Sequence, residues 1–295
     1  MSFVNAHKKR WGIEPICNTL RVAPSTYYAA VSRQPSARRQ RDEQLKVEIA
    51  RVHRDNFGVY GIEKVWHQLN RDGIQVGRDR VHRLMDELDL DGVVRGKRKR
   101  ITTIPREVDI RPPDLVERNF TAAAPNALWV ADLTYVSTAN GFCYVAFVID
   151  VFSRSIVGWR ISNSLETDVA LDALEMAIWW RRRADLTGLV HHSDRGAQYT
   201  AIRYTDRLEE IGAMRSVGSR GDSYDNALAE TVNGLYKAEV IHRQRSWRSL
   251  EHVELATAAW VYWWNHTRLH SAIGNVPPAE YEALYYRQHE PTQAA

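Results

Sequence analysis

The stretch LWVADLTYVSTANGFCYVAFVID, residues 128–150, decides the fold of this 295-residue chain. Residues 128–136 are rich in β-branched and aromatic side chains, which predicts a first strand. Residues 142–149 are apolar on both faces, as in a central strand of a sheet. Residues 155–161 have the same character, so we expect a meander of three strands.

The chain that follows this meander predicts alternating helices and strands. The expected elements are a helix at 167–180, a strand at 189–192, a helix at 200–211, a strand at 213–217 and a helix that begins near 226. Three sequential strands followed by this alternation are typical of the ribonuclease H type α/β fold. We therefore expect a ribonuclease H-like core in the second half of the chain.

The chain before residue 95 predicts helices only. Residues 10–30 indicate a helix, a turn and a second helix that Ser25 would cap, and a polar connector follows at 32–41. Apolar residues at helical spacing mark three further helices, at 45–52, 62–69 and 81–88. The last two are joined by Asp72–Gly77, a short turn of the helix-turn-helix type, which favours an all-α DNA-binding module.

A basic run closes this module and consists of Arg95, Lys97, Arg98, Lys99 and Arg100. Residues 1–120 hold 24 Lys and Arg against 16 Asp and Glu, whereas residues 121–295 hold 16 against 20. A basic half beside an acidic half suggests a polyanion-binding module next to a site that collects cations. We expect the basic run to contact DNA phosphates, with a solvated surface segment as the alternative.

These observations divide the chain into five expected parts. They are an N-terminal helical segment (1–35), a helix-turn-helix module (36–94), a basic linker (95–120), a ribonuclease H-like integrase catalytic core with a C-terminal helix (121–285) and a tail (286–295). No apolar run approaches the roughly 18 residues that span a bilayer, and no signal-peptide core is present. Cys17 and Cys143 form no paired motif. We therefore expect a cytoplasmic, nucleoid-associated protein without a membrane partner.

Three carboxylates are the candidate catalytic residues. Asp132 interrupts an apolar strand, where a charge is costly unless it is paired or bound to metal. Asp194 follows the strand at 189–192, and Glu230 lies on the helix after residue 226. Asp150 is a rival ligand, although a hydrogen bond or ion pair with Arg154 is the favoured role.

One face of this last helix repeats Asn226, Glu230, Asn233 and Lys237 at helical spacing, so these side chains project together. Asp225 or Asn226 would cap the helix. Carboxylate and water oxygens suit Mg²⁺ or Mn²⁺, and two such ions could clamp the attacking and leaving oxygens of a phosphodiester. Asp194 and Glu230 are 36 positions apart, but this spacing alone does not identify them as a catalytic pair, because the chain has 36 acidic residues.

The words around these residues resemble a family of insertion-sequence transposases, the second-frame proteins typified by insertion sequence three, which have a retroviral-integrase-like catalytic core. The matching words are Trp129-x-x-Asp132-x-Thr134-Tyr135, His192-Ser193-Asp194-Arg195-Gly196-x-Gln198-Tyr199, Asp225-Asn226-Ala227-x-x-Glu230 with Lys237, Asn265-x-x-Arg268-x-His270 and Pro277-Pro278-x-Glu280-Tyr281. They span about residues 125 to 285. Tyr60-Gly61 and the run to Arg100 are also similar to this family.

The resemblance implies that Asp132, Asp194 and Glu230 bind two Mg²⁺ or Mn²⁺ ions and that Lys237 contacts DNA near the reacting end. Asn226 and Arg195 are further candidate DNA contacts. The implied activity is strand cleavage at the element ends followed by transfer of the 3′ hydroxyl, by a route that copies the element out as a circle. The paired His and Cys module of retroviral integrases has no counterpart, so no zinc is expected.

The resemblance also implies partners. We expect double-stranded DNA, a homo-oligomer on that DNA and an upstream-frame protein, or its frameshift fusion, because no sustained leucine heptad is present to drive a dimer. Two other function classes remain open: a nuclease that only hydrolyses, and a DNA-binding regulator of transposition.

Overall fold

The computed structural model describes residues 1–95, 116, 120–165, 167–194, 196–217 and 226–289. Contacts between residues divide the chain into two units, Met1–Arg51 and Val52–Ala295. This division does not coincide with the expected boundaries at 35 and 94. Most of the expected linker at 95–120 lies outside the described residues, as do Lys97, Arg98, Lys99 and Arg100.

The first unit is helical, as expected. Its elements are α1 (Ser2–Trp11), α2 (Ile13–Thr19), α3 (Pro24–Ser32) and most of α4 (Ala37–Asp55). Helix α3 begins at Pro24, which suits the first helical position because proline lacks an N–H and has a fixed φ. The expected cap at Ser25 is therefore wrong. The expected connector at 32–41 is also too long, because α4 already begins at Ala37.

The second unit begins with the helix-turn-helix pattern. Helices α5 (Ile62–Arg71) and α6 (Arg78–Glu87) are joined by the turn at 72–77. Gly73 has a φ of 81°, a left-handed conformation that glycine adopts without strain. Val65 and Leu69 of α5 are fully buried, and so are Val81 and Leu84 of α6. The prediction of two helices around this turn is confirmed.

A five-stranded sheet forms the centre of the second unit. Its strands are β1 (Leu128–Thr138), β2 (Gly141–Asp150), β3 (Ile156–Ser162), β4 (Val190–Ser193) and β5 (Met214–Val217). The spatial order is β3-β2-β1-β4-β5. Strands β1 to β3 are antiparallel neighbours, whereas β4 is parallel to both β1 and β5. The expected meander and the two later strands are confirmed.

Helices cover both faces of this sheet. They are α7 (Thr167–Trp180), α8 (Ala197–Thr200), α9 (Ile202–Glu210), α10 (Ala227–Glu239), α11 (Leu250–His266) and α12 (Pro278–His289). On one face α7 approaches β3 so closely that a Cβ at Gly158 would lie 2.1 Å from the carbonyl oxygen of Ala173. The expected helix at 200–211 is two helices, and α12 continues into the expected tail.

On the other face, a buried ion pair holds the C-terminal end of α10. The Arg268 guanidinium lies 2.6 Å from Oε1 of Glu239, and both side chains are about 95% buried. The indole Nε1 of Trp260 also donates to Glu239, at 3.0 Å. Because an unpaired buried charge is strongly destabilising, this pair depends on both partners. It ties α10 to the segment that follows α11.

This segment and α11 contact the residues that immediately precede the helix-turn-helix pattern. The amide of Leu269 donates to the hydroxyl of Tyr60 at 2.7 Å, and Trp263 Nε1 donates to Asn56 Oδ1 at 3.1 Å. Residues 52–95 therefore pack within the same unit as the sheet. A fragment that ends before the sheet would expose these buried groups.

The tryptophans behave differently from one another. Trp260, Trp263 and Trp264 are buried in the core. Trp179 and Trp180 are each 59% exposed. The buried residues of α7 end at Ala177, and the two tryptophans lie in the last turn beyond it.

Candidate active site

The register between β1 and β4 brings the first two candidate carboxylates together. Ala131 of β1 pairs with Ser193 of β4 in parallel. This is the last pair between the two strands, and Asp132 and Asp194 each follow one member of it, so they lie side by side where the pairing of β1 with β4 ends. The sequence predicted that Asp194 follows the strand at 189–192, and this register sets it beside Asp132.

Two asparagines attach α10 to β1 beside Asp132. The side-chain amide of Asn226 donates to the carbonyl oxygen of Ala131 at 2.9 Å, and that of Asn233 donates to Oδ2 of Asp132 at 2.8 Å. Glu230 lies between them on the same helical face. The three side chains therefore face β1 together near Asp132, as the spacing along the helix predicts.

Asn226 was expected to cap α10 or to contact DNA, and the structure gives its side chain a different partner. It occupies the N-cap position of α10, yet its side chain makes no capping hydrogen bond. Its amide is buried and bound to β1, so the structure gives Asn226 a role in attaching the helix. That position differs from the expected DNA contact. Asp225 and Arg195 lie outside the described residues.

The electrostatics of Asp132 reflect this crowding. Burial, together with the charges of Asp194 and Glu230, raises the pKa of the Asp132 carboxyl group to about 7. Hydrogen bonds from the amides of Leu133 and Asn233 act in the opposite direction. The pKa of Asp194 is also raised by the surrounding protein, although the residue keeps an exposed surface. Negative charge is thus concentrated around Asp132.

The available ligand atoms are oxygens, which suits a hard divalent cation. Among the described residues, the buried Oδ1 atoms of Asn226 and Asn233 have no hydrogen-bond partner. Within the same ranges, no group of three His, Cys, Asp or Glu side chains is already arranged to hold a metal ion. The carboxylates are therefore neighbours that offer oxygen ligands. A bound cation would have to draw them closer together.

Tyr199 is a nearby residue to which the sequence assigned no role. Its side chain is 4% exposed, and its hydroxyl has no hydrogen-bond partner among the described residues. Burial and the charges of Asp132 and Asp194 raise the pKa of this hydroxyl well above its usual value. Tyr199 therefore remains a neutral hydrogen-bond donor beside the carboxylates.

The neighbouring histidines have structural partners. His191 Nε2 lies 3.0 Å from the hydroxyl of Tyr204, and His192 Nδ1 lies 2.8 Å from Oγ of Ser216. Burial lowers the pKa of His191 to about 3, so this ring stays neutral. These contacts give both histidines a structural role on β4.

The rival carboxylate Asp150 is occupied elsewhere. Its carboxylate accepts hydrogen bonds from the backbone amides of Asn126, at 2.7 Å, and Ser153, at 3.1 Å. The expected hydrogen bond with Arg154 is present between backbone atoms, while the Arg154 guanidinium donates to the carbonyl of Phe120. Asp150 thus closes the turn after β2.

Two of the candidate DNA contacts meet on α10. The Lys237 ammonium lies 4.6 Å from the ring centroid of Tyr135, on the helical face that carries Glu230. A Cβ at Gly234 would lie 2.7 Å from Cδ of Arg95, so the Arg95 side chain crosses the helix between Glu230 and Lys237. Nothing in the sequence spacing predicts this approach of Arg95.

Comparison with known proteins places this arrangement in a family. Residues 122–223 and 212–278 match two models of an integrase core domain, and residues 40–98 match an HTH-like domain. The chain is 56% identical over 272 residues to a protein of Mycobacterium tuberculosis named as transposase for insertion sequence element IS986/IS6110, covering 91% of this chain and 98% of that one. It belongs to the family of insertion-sequence transposases typified by insertion sequence three.

A second relative is the transposase for insertion sequence element IS629 of Shigella sonnei. It is 53% identical over 291 residues, which cover 97% of this transposase and 96% of the relative. Among solved structures, the HTLV-2 integrase catalytic core domain in complex with magnesium matches 54% of this chain and 98% of its own, at 13% identity and a TM-score of 0.42. Within the described ranges, no helix of the transposase has the length and apolar character needed to cross a membrane.

The raised pKa of Asp132 predicts a pH-dependent effect on the stability of the metal-free transposase. Its folded-state pKa exceeds the unfolded value, so the stability contributed by the protonated carboxyl is lost as the pH rises through about 7. Asp132→Asn cannot ionise and should raise the free energy of unfolding at pH 8 by roughly 2 kcal/mol. Below pH 4 the difference should vanish, as measured by urea unfolding in EDTA.

The exposed Asp206 provides the control for this measurement. Asp206→Asn should leave the unfolding free energy unchanged at both pH values. A destabilising effect of Asp132→Asn at pH 8 would show that the carboxylates do not repel one another in the metal-free protein.

Proposed function

We propose that this transposase is a metal-dependent polynucleotidyl transferase that cuts DNA at insertion-sequence ends and joins the freed 3′ hydroxyl to a target strand. The observation that supports this most strongly is that Asp194 and Glu230 lie near enough to Asp132 to act on its charge, beside the point where the pairing of β1 with β4 ends. A surface acidic cluster would be solvated, whereas Asp132 is held by Asn233 in surroundings that raise its pKa. Such a site is favourable once a cation occupies it.

In this proposal the three carboxylates hold the metal. Two bound Mg²⁺ or Mn²⁺ ions would stabilise charge on phosphate oxygens and lower the pKa of the attacking hydroxyl group. The protein orients Asp132 on β1 through the hydrogen bonds from Leu133 and Asn233. Asn226 keeps Glu230 close by attaching the start of α10 to β1.

The reaction consists of two substitutions at phosphorus. In the first, water attacks a phosphodiester, a P–O bond forms, and the leaving oxygen takes a proton to become a free 3′ hydroxyl. In the second, that hydroxyl attacks another phosphodiester and displaces a target-strand hydroxyl. Because each step exchanges one P–O bond for another, positioning and charge neutralisation are the contributions required of the protein.

We propose that Lys237 and Arg95 bind the phosphates that flank the reacting bond. Their cationic groups share the face of α10 that carries Glu230. Arg195, Lys97, Arg98, Lys99 and Arg100 are proposed as further phosphate contacts in the same double-stranded DNA, in the element ends and the target. Salt should weaken this binding because each neutralised phosphate releases counterions.

If Asp132, Asp194 and Glu230 hold the metal, substituting any one of them should abolish catalysis but leave DNA binding nearly unchanged. Asp132→Asn, Asp194→Asn and Glu230→Gln should each reduce cleavage and strand transfer by at least a thousandfold in Mg²⁺ or Mn²⁺, because removing a metal ligand removes charge stabilisation in the transition state. DNA affinity should change less than threefold. The assay uses a pre-cut, labelled duplex, so that hydrolysis and joining are resolved on one gel.

Asp150→Asn is the matched control, because Asp150 also ends a strand but bonds to backbone amides. It should retain cleavage wherever the variant remains folded by circular dichroism. Hydrolysis without joining would identify a nuclease, and DNA binding without metal-dependent cleavage would identify a regulator. Undiminished turnover by Asp194→Asn would contradict the proposal that Asp194 is a metal ligand.

We further propose that the transposase works in the cytoplasm as an oligomer on DNA, together with an upstream-frame protein or as a frameshift fusion to it. Pairing two ends requires at least two copies, and the sequence contains no sustained leucine heptad that would hold them together. The fusion should prefer end duplexes over scrambled duplexes at least tenfold more than this chain does. Equal preference in an electrophoretic mobility assay at one salt concentration would contradict the proposal.

A further inference from the structure

Two exposed aromatic rings form a corner at the far ends of β1 and β2. Tyr135 is 47% exposed and Phe142 is 56% exposed. Their ring centroids are 5.7 Å apart and their planes stand at 84°. Ser137 pairs with Phe142 and Tyr135 pairs with Tyr144, so the two rings are diagonal neighbours on one face of the sheet. This corner presents flat apolar surface to solvent.

A cation lies against this corner. The Lys237 ammonium sits 4.6 Å from the centroid of the Tyr135 ring, within the range of a cation–π contact. That contact fixes the side chain and leaves N–H groups of the ammonium available to an anion. Arg95 lies one helical turn away, over Gly234. Flat aromatic surface and adjacent positive charge are what a nucleotide requires: stacking for its base and cations for its phosphate.

The corner is also close to the candidate active site. Tyr135 follows Asp132 by three residues, about 10 Å along β1, and leaves the strand from the opposite face, but its ring still contacts Lys237 of α10, the helix that carries Glu230. One or two nucleotides of an extended DNA strand would bridge that distance. Lys237 lies two helical turns beyond Glu230 on α10, and Tyr135 lies three residues beyond Asp132 on β1. The aromatic corner is therefore displaced from the carboxylates in the same direction along both elements.

We propose that Tyr135, Phe142 and Lys237 form a binding site for one unpaired nucleobase and its phosphate, next to the reacting phosphodiester. This inference rests on the proposed function. In a duplex both faces of each base are covered by its neighbours, so a base that stacks on the protein has to leave the duplex. The corner therefore favours a DNA end whose last pair has opened, and it keeps that end from closing again while the strand reacts.

The charges favour DNA over a protein as the occupant. A second copy of the chain or a protein partner would cover the apolar rings without requiring the cations of Lys237 and Arg95 beside them. A nucleotide uses both features at once. The site requires no particular base, because every base offers a π face for stacking.

The test uses full-length protein and DNA of arbitrary sequence with 2-aminopurine, whose fluorescence falls on stacking. One probe is a forked duplex that carries the analogue at successive unpaired positions, and the second is the fully paired duplex. The native protein should quench the analogue at one or two positions next to the fork. Tyr135→Ala and Phe142→Ala should abolish this quenching and weaken binding of the forked duplex about tenfold, with less than a twofold effect on the paired duplex.

Tyr135→Phe and Phe142→Tyr keep the rings and should retain the quenching. Trp179→Ala removes an equally exposed aromatic ring from α7 and should behave as the native protein. Native quenching in both alanine variants, or equal loss of affinity for both DNAs, would overturn the proposal. A change in oligomeric state by sedimentation with unaltered quenching would also overturn it and identify an interface between copies.

This result can be separated from a failure of the proposed function. The quenching is measured without metal and needs no turnover, and it should persist in Asp132→Asn. If the native protein quenches the forked probe but neither cuts nor joins DNA in Mg²⁺ or Mn²⁺, the base site stands and the proposed catalysis fails. If it cuts and joins DNA but never quenches the probe, the base site alone is wrong.

Discussion

The repulsion among the carboxylates beside the last residue pair of β1 and β4 is the constraint on which the arrangement around the sheet depends. Parallel pairing of Ala131 with Ser193 sets Asp132 beside Asp194, and α10 brings Glu230 to the same place. Such a cluster persists only if other groups hold the helix there. Asn226 and Asn233 hold its start and middle on β1, and the Glu239–Arg268 ion pair holds its end. These contacts thus hold the three carboxylates near one another despite their mutual repulsion.

Much of this could be predicted from the sequence, because it depends on local patterns. Apolar runs of the length of a strand predicted the meander, and helical periodicity placed Glu230 and Lys237 on one face. The turn at 72–77 and the helices around it were predicted for the same reason. The position of Asp194 directly after a strand followed from the short apolar run at 189–192.

The parts that could not be predicted depend on contacts between distant segments. Asn226 is an ordinary N-cap residue by sequence, and only the packed position of α10 shows that its amide binds β1 instead. The approach of Arg95 to Gly234 joins residues 139 positions apart. The Tyr135–Phe142 corner requires the register of the hairpin, which sequence periodicity leaves open. Likewise, periodicity could not distinguish the exposed Trp179 from the buried Trp260.

The central claim is that the three carboxylates together bind divalent metal, and direct measurement of Mn²⁺ binding tests it. Electron paramagnetic resonance of free Mn²⁺ gives the number and affinity of bound ions without requiring DNA or turnover. The native chain should bind Mn²⁺, and Asp194→Asn and Glu230→Gln should each weaken this binding at least tenfold, while Asp150→Asn leaves it unchanged. Binding of the same number of ions with the same affinity in all four proteins would contradict the account.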